Sequence, residues 1–319
     1  MTARVGLIAN PAAGRDIRRL VGLATLVPNH EKVAIVRRVI AGLSAAGVSR
    51  VLYLPDAAGI ARAGVDACPD GLRASPLDMP VESDAEDSTL AARLLAGAGV
   101  GAIVTLGGDG TNRAVAAGCG EVPLVPISTG TNNVFPTMID GTVAGLAAGL
   151  VATRAVGLDR VSRRAKIVRV VADGAESFAL VDAAVCTDSF VGARAVWDPG
   201  RVLAVVLART DPWAVGLSSI GGRLAQIGPA DPAGLYVEIG LGRCVRAVLA
   251  PGLVADVPVR VTRRLALDDE VLLPAGGVIA LDGEREIQVD GPARARVSAS
   301  GPVVVDIRAA LAAAGTGGV

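Results

Sequence analysis

Gly107-Gly108-Asp109-Gly110-Thr111 is the segment of this 319-residue chain with the clearest chemical signature. It follows the apolar run Ala102-Ile103-Val104-Thr105-Leu106 and leads into a helical pattern. Glycines at such a place let backbone amides approach an anion with no Cβ in the way. A helix N-terminus adds unpaired N–H groups and the positive end of the helix dipole. The Asp109 carboxylate would repel phosphate, so it points instead to a cation or a proton. It either holds magnesium or accepts the proton of an attacking hydroxyl. A second polar loop, Ser128-Thr129-Gly130-Thr131-Asn132-Asn133, ends the next apolar run, and the first run ends in Asn10-Pro11-Ala12-Ala13-Gly14-Arg15. Open α/β sheets hold their ligands outside the carboxyl ends of the strands, where these three loops converge.

Asp-Gly pairs occur six times, at 70, 109, 140, 173, 282 and 290, and alone such a pair means a tight turn. The pair at 282 lies between the runs VIAL and REIQV and reads as the two-residue turn of a hairpin. Ser83, Asp84, Glu86 and Asp87 sit where a helix begins, so they are assigned to capping, and His30 to another helix start. Arg15, Arg18 and Arg19 are either phosphate neutralisers or solvated helix residues.

Other chemistries are excluded by what is missing. The lysines, Lys32 and Lys166, follow no glycine-rich run, so there is no P-loop. With one histidine and four dispersed cysteines (Cys68, Cys119, Cys186, Cys244) there is no zinc cluster and no histidine-activated nucleophile; the cysteines read as buried, reduced thiols. Zero net charge and 2% aromatics exclude a nucleic-acid binder. The N-terminus lacks a signal-peptide pattern and no apolar run would span a bilayer. The expectation is a soluble, cytoplasmic protein with no membrane partner.

These loops need strands and helices to hold them. Strands are expected at Val5–Ala9, Arg50–Leu54, Leu77–Val81, Gly101–Leu106 and Pro123–Ile127, with helices near 31–46, 84–98 and 111–118. That alternation predicts a mostly parallel sheet flanked by helices over residues 1–150. From 151 to 319 short β-rich runs at 165–172, 177–186, 202–208, 235–239, 244–250, 257–263, 278–282 and 285–289 predict an antiparallel domain. One helical stretch interrupts it near 212–226, and a final helix at 306–314 is expected to dock on the first domain.

A first strand entering NPAAG, then GGDGT, then a GTNN loop resembles the superfamily of NAD kinases, diacylglycerol kinases and sphingosine kinases. The run PLVPISTGTNNVFP and the PNHEK insertion are similar to the ATP-NAD kinase-like proteins of acetoin-catabolism gene clusters. The resemblance implies ATP and Mg2+ in a cleft between the domains, a homo-oligomer, and transfer of a phosphoryl group to a hydroxyl of NAD or a related soluble molecule. It implies that Asn10, Gly107, Gly108, Gly110 and Thr111 contact ATP, with Asp109 as catalytic carboxylate and metal ligand. Thr129, Gly130, Thr131, Asn132 and Asn133 would shape the nucleotide and acceptor site. Val181-Asp182 stands where NAD kinases carry an Asn-Glu pair for the acceptor ribose, so Asp182 would take that place. Asp282-Gly283-Glu284 resembles the Asp-Gly-Glu element of the lipid-kinase branch, with Asp282 at the metal and Glu284 assisting proton removal. A lipid kinase and a non-catalytic nucleotide-binding regulator are the alternative readings.

Overall fold

Strand residues that point alternately to two apolar layers build the first sheet. The computed structural model describes residues 3–13, 23, 27–66, 68–188, 196 and 198–315. In it β1 (Arg4–Ala9), β2 (Arg50–Tyr53), β3 (Arg73–Pro76), β4 (Ala102–Gly107) and β5 (Leu124–Ser128) lie parallel in the order β3-β2-β1-β4-β5. Val5, Leu7, Val104 and Leu106 face α1 (Asn29–Ala45), α2 (Ile60–Val65) and α5 (Gly141–Ala152). Ile8, Ile103 and Leu124 face α3 (Ala85–Gly97) and α4 (Asp109–Ala116) on the other side. The strand order reverses between β1 and β4, so the loops leaving them part there and open a crevice.

The chain then leaves and returns. After α6 (Leu158–Val161), β6 (Ser162–Arg164) waits at the sheet edge. From there the chain runs through β7 (Ile167–Ala172), β8 (Ala175–Ala179), β9 (Asp182–Cys186), β10 (Val202–Leu207), α7 (Ser218–Gly222), β11 (Ala233–Ala250), β12 (Leu253–Ala266), β13 (Val271–Leu272), β14 (Val278–Leu281), β15 (Glu284–Gln288) and β16 (Ala293–Ser298). These strands form two wholly antiparallel sheets, β13-β16-β7-β8 and β12-β11-β10-β9-β14-β15. Val168, Val170, Val185, Ile279 and Val297 fill the layer between them. Finally β17 (Val303–Val305) inserts between β5 and β6, and α8 (Ile307–Gly315) buries Ile307 and Ala310 in the first core. The α/β first half and antiparallel second half are as the sequence predicts, and the last helix docks where expected.

Four local expectations differ. The third strand is Arg73–Pro76, ahead of 77–81, whose Leu77 and Met79 instead pack against the core from a loop. The run 177–186 splits into β8 and β9. The runs 235–239 and 244–250 are one strand, interrupted by a register jump between Ile239 and Arg243. Of 212–226 only Ser218–Gly222 is helical, because Pro212, Gly216 and the Gly221-Gly222 pair interrupt it.

Helices α1 and α5 touch through glycine. A Cβ on Gly42 would meet the Thr142 carbonyl, and one on Gly145 the Val39 carbonyl. Gly145→Ala is expected to wedge the pair apart at about 1–3 kcal/mol, the usual cost of overpacking. Thermal and urea unfolding check this; an unchanged midpoint contradicts the contact.

Candidate functional site

The three loops of the crevice are tied to one another before any ligand arrives. Asn10 donates from Nδ2 to the Thr111 hydroxyl at 2.9 Å and accepts from the Ala12 amide at 2.8 Å. Lys32, fully buried on α1, donates to the carbonyls of Asn10, Pro11 and Ala13 at 3.0, 3.1 and 3.2 Å. Asn112 accepts from Thr105 at 2.6 Å and donates to the Gly108 carbonyl at 2.8 Å, which braces the turn into α4. In the third loop Ser128 donates to the Gly130 carbonyl at 2.7 Å, and Asn133 donates to the Ser128 hydroxyl at 2.8 Å.

Asp109 is the first residue of α4, with Gly108 extended at the N-cap. Its carboxylate leans toward the third loop and accepts from the Val134 amide at 3.1 Å and the Phe135 amide at 2.7 Å. Asp282 repeats the arrangement from the antiparallel C-terminal region. Asp282-Gly283 is the two-residue turn of the β14–β15 hairpin, with φ of +52° and +76°, the conformation that an Asp-Gly pair adopts readily. The buried Asp282 carboxylate accepts from the Leu180 amide at 3.1 Å and the Val181 amide at 2.7 Å. Phe135, Leu180 and Val181 pack with Ile167 in one apolar cluster, and Val134 packs against it. Two aspartates, one from the α/β half and one from the antiparallel half, are therefore each gripped by consecutive amides whose side chains share a core.

Arg113, one helical turn beyond Asp109, joins them. Its Nε lies 3.1 Å from Asp282 Oδ2 and it also pairs with Glu286. Burial pulls its guanidinium down, but Asp282 and Glu286 outweigh that and hold it above its ordinary value. The Asp282 carboxyl is pushed up to about 6, chiefly by burial; Arg113 opposes this and Asp109 adds to it.

The resulting cleft has a volume of about 970 Å³, within the range of small-molecule sites. Asn10, Gly108, Asp109, Gly110, Thr111, Gly130, Asn132, Asn133, Asp282 and Glu284 line it. Gly107 ends β4 behind the wall, Thr129 is buried, Thr131 is exposed, and Asp182 is buried in β9; none of these four lines it. The Asp182 backbone carbonyl instead accepts from the Asp282 amide at 2.8 Å. Gly14, Arg15, Arg18 and Arg19 lie outside the described residues.

Sequence reasoning missed Arg113, although its spacing of four from Asp109 places it on the same helix face. It also missed the loops after β2 and β3. Asp56 accepts from the Ile60 and Ala61 amides at 3.0 and 2.9 Å, and its loop forms one wall of the cleft. Asp84 caps α3, as expected, by accepting from the amides of Glu86 and Asp87, and it too borders the cleft. Among the described residues no three metal-ligating side chains converge and no helix is long and apolar enough to cross a membrane. None of the four cysteines is in a disulfide, but only Cys119 and Cys186 are fully buried; Cys244 is exposed, which corrects the expectation of buried thiols.

Residues 5–155 match the family model of the ATP-NAD kinase N-terminal domain, and residues 166–301 that of the acetoin catabolism protein X C-terminal domain. Over 303 residues the chain is 42% identical to acetoin catabolism protein X of Cupriavidus necator, covering 89% of this chain and 84% of that protein. Among solved structures it is similar to a putative diacylglycerol kinase from Bacillus anthracis str. Sterne, with TM-score 0.45, 14% identity and coverage of 95% and 97%. A second diacylglycerol kinase structure from that organism aligns with TM-score 0.46, 15% identity and coverage of 95% and 96%.

Proposed function

Since the chain belongs to the acetoin catabolism protein X family and its first half matches the ATP-NAD kinase N-terminal domain, we propose that it transfers the terminal phosphoryl group of ATP to a hydroxyl of NAD or a related soluble molecule. One observation carries the reading. Asp109 and the Asp282-Gly283-Glu284 turn border the same cleft from opposite domains, above glycine-bearing loops at strand ends. The amides of those loops would cradle the phosphates. Asp109, its rotamer fixed by the Val134 and Phe135 amides, would receive or orient the acceptor hydroxyl.

A magnesium ion fits as one carried in on the nucleotide, since such ions take one or two carboxylates and complete their shell with phosphate and water. Asp109 and Glu284 would be the carboxylates to hold it. Asp282 is already engaged by two amides and Arg113, so it serves as counter-ion to Arg113. When bound, the ion would neutralise phosphate charge.

A second reading, a hydroxyl acceptor smaller than NAD, draws on one feature: Asp182 is buried and away from the cleft, so it does not present a carboxylate to a ribose. A coupled assay with ATP against NAD, NADH, diacylglycerol and simple hydroxy-ketones tests the assignment. Turnover with NAD supports the first reading, turnover only with a hydroxy-ketone the second. Turnover only with diacylglycerol, or with nothing, overturns both.

A further inference from the structure

We propose that Arg209 is a positioning residue for Asp109, acting from the second domain through the ring and the backbone amide of Phe135; the role in turnover rests on the phosphotransferase reading above. Arg209 lies two residues beyond the end of β10, and both neighbours are pinned. The Ala208 amide donates to the Val181 carbonyl at 2.9 Å, while the Thr210 amide donates to the Ile227 carbonyl and the Thr210 hydroxyl accepts from the Ile227 amide, both at 2.9 Å. From this fixed base the guanidinium reaches across to the first domain and lies 5.7 Å from the centre of the Phe135 ring, inside cation–π range.

Phe135 is 7% exposed, and its amide makes the shortest of the hydrogen bonds to Asp109, at 2.7 Å. Guanidinium, ring, amide and carboxylate therefore form one contiguous chain across the domain interface. The arrangement is costly for mere packing. Nε of Arg209 is buried without a hydrogen-bond partner, a condition that usually costs stability. Burial also draws the guanidinium below its ordinary value, against which Asp109 and Asp211 act. A hydrocarbon would fill the space more cheaply. What an arginine adds is a charge attracted both to the ring face and to Asp109, and so a means of holding the 134–135 backbone under the carboxylate. Displacements of about 1 Å at a reacting group cost on the order of 10²-fold in rate.

The test combines kinetics with amide exchange. Arg209→Gln is expected to lower kcat about 10–100-fold with the KM for ATP little changed, and to speed hydrogen exchange at Val134 and Phe135. Arg209→Lys keeps a cation near the ring and should recover most of both. Phe135→Leu keeps apolar bulk but removes the π face, so its effect and that of Arg209→Gln should be markedly non-additive. In an Asp109→Asn background, Arg209→Gln should cause no further loss of turnover. Additive losses, or unchanged exchange at 134–135, overturn the proposal. Where Arg209→Gln does not fold, the cycle is run with Arg209→Met, which fills the same space and also removes the charge. Faster exchange in a protein whose wild type phosphorylates no acceptor would keep the positional role and reject the kinase reading.

Discussion

Asp109→Asn is expected to cut turnover by roughly 10²–10⁴-fold, the usual worth of a general acid or base, while the fold is retained. The variant is nearly isosteric, and its Oδ1 can still accept from the Phe135 amide that fixes the native rotamer. What it loses is a full negative charge and the ability to take a proton. The same protein separates three roles. A base alone leaves ATP affinity unchanged or improved, because a charge near the phosphates has gone. A magnesium ligand weakens metal-dependent ATP binding, and added magnesium restores part of the activity. A residue that only shapes the turn tolerates asparagine well, and near wild-type turnover would end its assignment to the chemistry. Turnover, ATP affinity by calorimetry and a magnesium titration on one variant decide among them.

Arg113→Met is the second large expected effect, and it bears on stability as much as on activity. Removing one partner of a buried ion pair typically costs about 3–5 kcal/mol, because the other charge is left uncompensated. Here that charge is Asp282, whose side chain is fully enclosed. The cost should depend on pH with a definite sign. In the native protein the Asp282 carboxyl stands at about 6 against an ordinary 3.8, so the folded state holds its proton more tightly than the unfolded chain. Its contribution to stability is complete below the ordinary value and is lost as pH rises through about 6. Without Arg113 the folded carboxyl rises further. The variant should then be much less stable than wild type near pH 8 and much closer to it near pH 5, where Asp282 is buried neutral. Adding Asp282→Asn to Arg113→Met should recover a large part of the loss at high pH. Urea denaturation across that range checks both statements; a pH-independent loss would mean that Arg113 acts by packing alone.

How much of this was legible in the sequence depends on whether side chains or backbone do the work. The parallel sheet, the GGDGT turn and the Asp84 cap follow from side-chain periodicity and from residue types with strong local preferences. The third strand was misplaced because Leu77 and Met79 satisfy the apolar pattern of a strand while packing from a loop. The long β11 was read as two because Gly240 and Gly242 flank the register jump that ejects Leu241, which is 95% exposed. In the site, the second Asp-Gly pair was legible as a hairpin turn and as an acidic element, and it is structurally both. The partners that fix the two aspartates were not legible. They are main-chain amides of Val134, Phe135, Leu180 and Val181, apolar residues whose sequence advertises only burial. Arg209 carries no local signature either; its meaning comes from Phe135, 74 positions earlier in the chain (209 − 135).

The insertion of β17 beside β5 has a consequence in time. Ribosomes extend a chain from its N-terminus at roughly 5–20 residues per second. The 175 positions from Ser128 to Val303 (303 − 128) therefore take about 9–35 s to emerge at that pace. Throughout that interval β5 has β4 on one side; on the other, Thr137 bridges the Ile127 end as soon as it emerges, but the Leu124 end stays open until Val304 has been synthesised. An open edge of this kind invites pairing with other nascent chains. The Thr129–Asn133 loop hangs from that same strand, so a newborn molecule can hold all three loops of its cleft and still lack the strand that closes the sheet beneath one of them. A chain stopped by a nonsense codon shortly before Val303 would be trapped in that state, with its motifs complete and its first sheet permanently unfinished.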